Sequence, residues 1–444
     1  MIDPAPLLER ERRRFAASHP RSARLAQRSG AHFLNGVPMH WMADWGTPHP
    51  LFLRQAEGIT LEDVDGLRYR DFCLGDTGAM FGHSPPAVAA AIAAQAGRGL
   101  TCMLPAEATA EVGERLAALF GLPYWQLAQT ATEANRSALR WARAITARAR
   151  ILVFHGCYHG TVDETLVRLR GGRTVAREGA IGAPFDNAAG TVAVEFNDLT
   201  ALEAALGSRE IAAVICEPVM TNVGMVLPQP GFHAALRALT RRSGTLLVID
   251  ETHTLSSGPG GYTRVQGLEP DLLVCGKAIA GGLPCAVFGF TAEVEAGMRR
   301  VLGARAGGHT GMGTTLAANP LALAALRAAL RELLTVEQHA RMEALAIRLE
   351  AGLQAAFARR ALPWHVARVG ARTEFGFGAA PRNGSEAEAA MRPELEHAMH
   401  LWLLNRGLLV TPFHNMMLAA PVATEADIDA LVAGIDACLD ELRA

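Results

Sequence analysis

The chain has 444 residues, of which half are hydrophobic and 19% are charged, and its formal net charge at pH 7 is −2. This is the composition of a globular protein, and the length suits one large domain with a smaller partner. A net charge so near zero excludes the strongly basic surface that binds nucleic acid or an anionic membrane. We therefore expect a small-molecule ligand, with no nucleic acid and no membrane as partners.

The seven cysteines form no metal or redox motif. Their number is odd, no C-x-x-C pair occurs, and several lie in apolar runs such as those ending at Cys216 and Cys275. We expect buried thiols in a reducing compartment and no metal site. The N-terminus has no apolar segment of signal-peptide length, and no run of about eighteen apolar residues occurs. The sequence predicts a soluble, cytoplasmic protein.

The first part of the chain predicts a helical arm followed by a small sheet. Residues 3–30 form an Arg-rich segment with helical spacing. Residues 51–72 are predicted as two or three short strands, because polarity nearly alternates and Asp65-Gly66 is a turn signal. Two Ala-rich segments with helical spacing follow, at 87–97 and 106–120.

From about residue 124, short apolar runs alternate with amphipathic helices. Wholly apolar runs between helices predict an α/β fold with a mostly parallel sheet that is covered on both faces. In such a sheet the ligand lies beyond the carboxyl ends of the strands. The predicted runs are 151–154, 191–196, 211–216, 245–250 and 271–275, and the helices between them are 132–148, 199–206 (capped by Asp198) and 231–242.

The last part of the chain is predicted to contain a long helical region and then a small domain. An Ala-, Leu- and Arg-rich helical region runs from Pro320 to about Arg360, and a small α+β domain is expected after it. We assign residues 1–75 to the N-terminal arm and part of the small domain, 76–318 to the large cofactor-binding domain, and 319–444 to the linking helix and the C-terminal small domain.

Polar residues with a chemical use stand at the ends of the apolar runs. Asp250 ends one run, Lys277 follows the next, and the segment 129–134 (Gln-Thr-Ala-Thr-Glu-Ala) opens a helix. Singly, each has an ordinary explanation: a turn residue, a solvated lysine and a helix-capping box. Their order along the chain is what indicates a site.

These motifs together resemble the class-III aminotransferases, from about residue 30 to the C-terminus. The resemblance is carried by motif order and spacing: Thr130-Ala-Thr-Glu-Ala134, Tyr158-His-Gly160, Glu217-Pro218, Asp250-Glu251, Lys277 and Gly313-Thr-Thr-Leu-Ala-Ala-Asn-Pro320. That family consists of pyridoxal 5′-phosphate (PLP) enzymes of fold type I and includes ω-amine transaminases, β-amino-acid transaminases and glutamate-1-semialdehyde aminomutase. The resemblance implies PLP as cofactor and a large α/β domain with a mostly parallel central sheet flanked by helices, plus a small α+β domain.

The resemblance also implies a role for each motif. Asp250 would pair with the pyridine nitrogen and Lys277 would form the Schiff base and carry the proton, so these two are the expected catalytic residues. Thr315 would reach the phosphate from the other subunit, which implies a homodimer with a shared active site. A structural carboxylate is an equally good interpretation of Glu217. The expected cofactor contacts are Thr130, Ala131, Thr132, Tyr158 (stacked on the ring), His159, Glu217, Asp250, Thr252, Lys277 and Thr315.

The sequence departs from the family beside the cofactor. The phosphate turn, usually Ser-Gly-Thr, is Thr130-Ala131-Thr132, so the backbone there must do without the freedom of glycine. Thr252 stands where valine is usual, and we interpret it as a tolerated near-isostere rather than a new hydrogen-bonding group. His253 is either a proton carrier or a buried, hydrogen-bonded imidazole, and we favour the second interpretation.

The substrate loops depart more strongly. Relatives hold a substrate carboxylate with an arginine in the loop before the first strands or near the C-terminal strand, but neither 36–45 nor 412–415 contains one. Neutral imidazole replaces a guanidinium clamp poorly, so the sequence favours an aromatic or apolar amine, or a loosely held carboxylate. Arg372 and Arg406 are alternative carboxylate partners or surface and capping residues. The candidate pocket residues are His40, Trp41, Trp45 and His414.

The predicted function is a PLP-dependent aminotransferase that moves an amino group from an amine or amino acid to a keto acid or aldehyde by a ping-pong mechanism. The alternative is an isomerase, either an aminomutase like glutamate-1-semialdehyde aminomutase or an amino-acid epimerase. The missing loop arginine counts against the semialdehyde reaction. A nicotinamide-dependent dehydrogenase is excluded because no Gly-x-Gly-x-x-Gly follows the first strand of the α/β region. A non-catalytic binding protein is disfavoured because both Asp250 and Lys277 are present.

Overall fold

The structure is a computed structural model that describes residues 3–304 and 310–442. The chain divides into two compact units. One comprises Met1–Pro85, Ala340–Ala380 and Ala390–Ala444, and is called the terminal unit below because it contains both chain ends. The other comprises Pro86–His339 and Pro381–Ala389, and is called the central unit.

The N-terminal part of the terminal unit is a helical arm followed by three antiparallel strands. Phe15 is fully buried, and the phenol of Tyr69 donates to Asp63 at 2.7 Å and contacts His19 at 2.8 Å, so arm and strands share one core. The elements are α1 (Ala5–Ser18), α2 (Pro20–Ser29), β1 (Leu53–Glu57), β2 (Thr60–Asp63) and β3 (Arg68–Asp71). The predicted arm and strands are therefore present, with the turn at Asp65-Gly66 between β2 and β3.

The central unit contains the alternating strands and helices that the sequence predicts. In chain order its elements are α3 (Pro86–Ala96), α4 (Thr109–Phe120), β4 (Tyr124–Ala128), α5 (Ala131–Thr146), β5 (Arg150–Phe154), β6 (Val167–Arg170), β7 (Arg173–Ala176), β8 (Thr191–Val194), α6 (Leu199–Gly207), β9 (Ile211–Cys216), α7 (Phe232–Ser243), β10 (Leu246–Asp250), α8 (Gly261–Val265), β11 (Leu272–Cys275), β12 (Ala286–Phe290), α9 (Ala292–Gly303) and α10 (Pro320–Glu332).

Within the described residues, the main sheet of the central unit has the strand order β4-β12-β11-β10-β9-β5-β8. All neighbouring pairs are parallel except those of β12, which runs antiparallel to β11 and β4. Every residue of β9, β11 and β12 is buried, as expected for strands covered on both faces. The mostly parallel α/β sheet of the sequence prediction is confirmed.

The remaining elements complete the chain. They are α11 (Val336–Arg359), β13 (His365–Val369), β14 (Arg372–Gly376), α12 (Gly384–Ala390), α13 (Pro393–Leu404), β15 (Leu408–Leu409), β16 (Met417–Leu418) and α14 (Glu425–Glu441). In the terminal unit β15 adds to β3 in a parallel pairing, and β13, β14 and β16 form a separate antiparallel sheet. The helical region predicted from Pro320 to Arg360 consists of two helices, α10 and α11, with a break at 333–335. In the described part of the chain, no helix is long and apolar enough to cross a membrane.

Candidate active site

The predicted cofactor residues of the central unit gather at one edge of its main sheet. Strands β4, β5, β9, β10 and β11 run in the same direction, so their carboxyl ends meet at that edge. Asp250 ends β10, Glu217 follows β9, and Lys277 comes two residues after β11. The phosphate turn follows β4 in the same way, and Tyr158 lies in the loop after β5. This is the edge at which open α/β sheets bind ligands.

Asp250 is a buried carboxylate held by three donors. Its Oδ2 accepts from Asn135 Nδ2 at 2.8 Å and lies 3.0 Å from His159 Nδ1, while Oδ1 accepts from the backbone N–H of Thr252 at 3.1 Å. Burial alone would raise the pKa of Asp250, but the hydrogen bond and charge of His159 outweigh it and hold that pKa below its usual range. The same pairing raises the pKa of His159 against the opposing effect of burial. The site therefore contains an ionised carboxylate at the end of β10.

The surroundings of Asp250 fit a protonated pyridine nitrogen. A buried carboxylate needs partners that offset its desolvation, and Oδ1 receives one backbone donor in the described structure. Next to it, the hydroxyl of Thr252 is buried and has no hydrogen-bond partner among the described residues. A ring nitrogen that carries a proton supplies the donor that such a cluster can accept.

The phosphate turn is the N-terminus of α5. Thr130 is the N-cap, and its hydroxyl accepts from the backbone N–H of Glu133 at 3.3 Å, while the Glu133 carboxylate accepts from the N–H of Gln129 at 2.9 Å. The first N–H groups of a helix lack partners within the helix and bind anions well. Ala131 is the first helical residue, so its backbone is right-handed and needs no glycine. The departure from Ser-Gly-Thr is thereby explained.

Two glycines let neighbouring loops approach this helix start. A Cβ on Gly276 would lie 2.9 Å from Ala131 Cβ, and a Cβ on Gly160 would lie 2.9 Å from Thr132 Cβ. Both distances are closer than real Cβ contacts allow. The loops that carry Lys277 and Tyr158 are therefore packed directly on the phosphate turn.

Lys277 has three features that set it apart. Its φ is 49°, a left-handed conformation that is costly for a residue other than glycine and that is typical of functional sites. Its Nζ lies 2.5 Å from Nε2 of His253. Lys277 is also the only lysine in the chain, a fact readable from the sequence and a stronger signal than its position after β11 alone.

The remaining predicted contacts differ in exposure. Tyr158 is 41% exposed, and Arg177 Cζ lies 5.9 Å from its ring centroid, so one face of this ring has a cation nearby. Thr315 is exposed in the loop before α10. Glu217 is buried, and one of its carboxylate oxygens accepts from the hydroxyl of Thr221.

Sequence reasoning missed two residues that shape the site. Asn135 donates to Asp250. The sequence shows only an amide residue in the first turns of α5, just after the phosphate turn. Glu251 is fully buried and accepts from the Thr254 hydroxyl at 2.5 Å and from the backbone N–H groups of Tyr262 and Thr263 at 3.1 and 2.5 Å. Burial raises the pKa of Glu251, although these hydrogen bonds oppose the rise. Glu251 thus fixes the loop that follows Asp250.

The candidate substrate-pocket residues His40, Trp41, Trp45 and His414 all belong to the terminal unit. Trp41 is 50% exposed, and Trp45 packs edge-on against His400 with ring centroids 5.7 Å apart. His414 has a left-handed backbone, with a φ of 55°.

The two arginines suggested as carboxylate partners each pair with a glutamate of the terminal unit. Arg372 is buried and donates from Nε to Glu374 at 2.8 Å. Arg406 donates from Nη1 to Glu11 at 3.0 Å, and its guanidinium lies 3.6 Å from the Trp402 ring centroid. Their observed roles are structural ion pairs.

Comparison with known proteins gives a consistent picture. Residues 41–439 match the model of the family described as aminotransferase class-III. Glutamate-1-semialdehyde 2,1-aminomutase of Chloroflexus aggregans is 36% identical over 410 residues, which are 88% of this chain and 91% of that protein. Two crystal structures of a glutamate-1-semialdehyde aminomutase from Pseudomonas aeruginosa PAO1, one in complex with PMP, are 49% identical with a TM-score of 0.97 over 99% of both chains. A β-phenylalanine aminotransferase from Variovorax paradoxus is 28% identical with a TM-score of 0.86, over 99% of this chain and 98% of that one.

Proposed function

The chain belongs to the class-III aminotransferases, PLP enzymes of fold type I, and from this membership we propose that it is an aminomutase. It would move an amino group between two carbons of one small amino-acid-like substrate. The observation that carries this proposal is the similarity to glutamate-1-semialdehyde aminomutases over nearly the whole chain, at 36% and 49% identity. The sequence prediction of intermolecular transfer becomes the second candidate.

The residues of the central unit fit the cofactor. PLP, when bound, supplies an electron sink that stabilises negative charge on the substrate carbon. The ionised Asp250, held by Asn135 and His159, would pair with the ring nitrogen and keep it protonated. The N-terminus of α5 at Thr130–Thr132 would bind the phosphate, and Tyr158 would cover one face of the ring.

Lys277 would perform the proton transfers. Its amine would hold the cofactor in the absence of substrate and would be available to move a proton once the substrate is bound. The freed Nζ would then take a proton from one carbon and return it to another, and such transfer by a positioned amine is general acid–base catalysis. The unusual backbone of Lys277 at the carboxyl edge of the sheet supports this role.

An aminotransferase is the second candidate, and one observation favours it. The loops 36–45 and 412–415 contain no arginine, and both Arg372 and Arg406 are paired with glutamates. These two loops therefore contain no arginine that could bind a substrate carboxylate. Such a pocket would suit an amine donor that has no carboxylate. The similarity to the β-phenylalanine aminotransferase is compatible with this candidate.

We also propose a homodimer with a shared active site. The support is the motif Thr315-x-x-x-Asn319-Pro320, in which Thr315 is exposed and Asn319 caps α10. An exposed hydroxyl at this position is able to bind a phosphate in a neighbouring subunit.

One experiment separates the two candidates. The purified protein with PLP is mixed with a single amino compound and no keto acid, while the visible absorption of the cofactor and the products are followed. An aminomutase converts many equivalents of substrate into its isomer without an acceptor. An aminotransferase instead stops after one equivalent, with the visible band lost until a keto acid is added. The second pattern would overturn the aminomutase proposal.

A further inference from the structure

A chain of hydrogen bonds connects the amine of Lys277 to a buried carboxylate. Lys277 Nζ lies 2.5 Å from His253 Nε2, and His253 Nδ1 lies 2.5 Å from the hydroxyl oxygen of Thr221. The hydroxyl of Thr221 in turn bonds to Oε2 of Glu217. His253 and Glu217 are both nearly buried, with 11% and 5% of their side chains exposed.

The main sheet explains why these four residues meet. Strands β9, β10 and β11 are consecutive neighbours in the sheet. Glu217 and Thr221 follow β9, His253 lies three residues after the end of β10, and Lys277 lies two residues after the end of β11. The loop after β9 is closed by a bridge between Met220 and Val226, which holds Thr221 in place.

The direction of the hydrogen bonds follows from the carboxylate at the end. An ionised carboxylate only accepts, so the Thr221 hydroxyl donates its hydrogen to Glu217. The oxygen of Thr221 must then accept from Nδ1–H of His253. A neutral imidazole with hydrogen on Nδ1 has a lone pair on Nε2, and that lone pair accepts an N–H from Lys277.

We propose that His253 is a positioning residue that holds the amine of Lys277 for proton transfer whenever this amine is not bonded to the cofactor. The proposal rests on the proposed function only in that Lys277 is the amine released from the cofactor by substrate. By accepting one N–H, His253 fixes the rotation about the Cε–Nζ bond and so directs the nitrogen lone pair. A fixed amine loses less freedom in reaching the reacting carbons.

The hydrogen-bonded residues His253, Thr221 and Glu217 also stabilise the ammonium form of Lys277. When Nζ takes a proton from a substrate carbon it becomes an ammonium, and its bond to Nε2 becomes charge-assisted and stronger. The negative charge of Glu217 lies at the far end of the same chain. Lys277 then gives that proton to the second carbon, so His253, Thr221 and Glu217 end the cycle with the protons they began with.

The single lysine of the chain allows the contact between Lys277 and His253 to be tested. Because Lys277 is the only lysine, protein grown on lysine labelled with ¹⁵N at Nζ has one labelled side chain. With pyridoxamine phosphate bound, the lysine amine is not bonded to the cofactor, and its ¹⁵N signal reports the hydrogen bond to His253. We expect the signal to move in His253→Leu and to return toward the wild-type position in His253→Gln, whose amide oxygen can accept the bond. His233→Gln is the matched control, since His233 bonds to the backbone carbonyl of Pro218 instead.

The same variants give a kinetic readout in the PLP-loaded protein. The rate at which substrate removes the visible absorption should fall on the order of 10- to 100-fold in His253→Leu, the effect of losing a hydrogen bond to a charged group. It should be largely restored in His253→Gln. Deuterium on the reacting substrate carbon should slow His253→Leu more than wild type, because proton transfer then limits the rate. If His253→Leu does not fold, Thr221→Val tests the same chain with a smaller expected loss.

The outcomes are separable. A His253→Leu protein with a wild-type ¹⁵N signal and a wild-type rate overturns the proposal. Equal loss in His253→Leu and His253→Gln with an unmoved lysine signal also overturns it, since that pattern is a structural defect. If none of the amines tested changes the absorption of the PLP-loaded wild-type protein, the proposed function fails. The ¹⁵N comparison still decides the role of His253 in that case.

Discussion

At the scale of single residues, two buried carboxylates of the central unit have different surroundings. Asp250 at the end of β10 is bonded to Asn135, His159 and a backbone N–H, an arrangement that keeps it ionised with room to accept another donor. Asp271, immediately before β11, is instead bonded on both oxygens by Arg237 at 2.7 and 2.8 Å. The first arrangement suits a ligand and the second suits a structural ion pair.

Because of this difference, removing the charge of Asp250 should affect catalysis. Asp250→Asn should lower the turnover of PLP-loaded protein roughly 100-fold, because an amide does not hold a proton on the ring nitrogen and preorganised charge is lost. Turnover is measured at saturating cofactor and substrate, with the folded fraction checked by circular dichroism.

Asp271→Asn is the matched control for that measurement. Removing its charge breaks the pair with Arg237 and should lower the thermal midpoint of unfolding. The rate per folded molecule should stay within about twofold of wild type, the scatter expected of a remote change. Similar rate losses in both variants would mean that Asp250 is structural.

The sequence revealed the residues of the site better than their contacts. Asp250 and Lys277 stand out because the ends of apolar runs are fixed by the strand pattern. The bond between Lys277 and His253 is not readable in the same way, since it depends on the side-by-side order of β10 and β11 and on the turn after each strand. The sequence favoured a buried, hydrogen-bonded imidazole at His253, and the structure shows its bonds to Lys277 and Thr221, which the sequence could not name.

At the scale of elements, the loops that contain Gly276 and Gly160 pack against the N-terminus of α5. Gly276 and Gly160 bring their loops against Ala131 and Thr132 at distances that leave no space for a side chain. Two loops and one helix end are thereby fixed relative to each other. We expect the phosphate site to depend on this packing as much as on the hydroxyls of Thr130 and Thr132.

Gly160→Ala tests the packing. Gly160 has a φ of 78°, and a Cβ there would collide with Thr132. The variant should bind PLP at least tenfold more weakly, since the loop must move away from the helix start that we propose binds the phosphate. Binding is measured by titrating cofactor-free protein and following the visible band.

Gly224→Ala is the control for backbone strain. Gly224 also has a positive φ, 90°, but a Cβ there would meet nothing within 4 Å. Both variants therefore carry the strain of a left-handed alanine, about 1–2 kcal/mol, and only Gly160→Ala adds the collision. Equal cofactor affinity in the two variants would contradict the packing argument.

Several elements were not predictable from periodicity. Strand β12 is wholly buried but antiparallel, and the hairpin of β6 and β7 pairs locally at Val167–Ala176. Residues 167–170 alternate apolar and charged side chains before Gly171-Gly172, a signal that the long-range strand pattern obscured. The break between α10 and α11 follows Glu332 without a proline or glycine. The local signal beside it is Thr335, whose hydroxyl accepts from the N–H of Gln338 at the start of α11.

At the scale of the whole molecule, the chain folds into a central and a terminal unit, and all the expected cofactor contacts lie in the central unit. The α/β architecture followed from alternating apolar runs, because strands covered on both faces leave a strong pattern. The fold-type-I assignment followed from the resemblance to the class-III aminotransferases. The sequence did not decide between an aminomutase and an aminotransferase. Both reactions use the same cofactor residues, and the candidate pocket residues lie in loops of the terminal unit, where periodicity carries no information.

We propose that Lys277 is the amine that bonds to PLP, and its uniqueness in the chain allows a direct test. The PLP-loaded protein is reduced with borohydride, which fixes the cofactor to its amine, then digested and examined by mass spectrometry. We predict one cofactor per chain, on the peptide that contains Lys277, and none at that site in Lys277→Ala. A cofactor fixed only to the N-terminal amine, or a wild-type protein that retains none after reduction, would contradict the account.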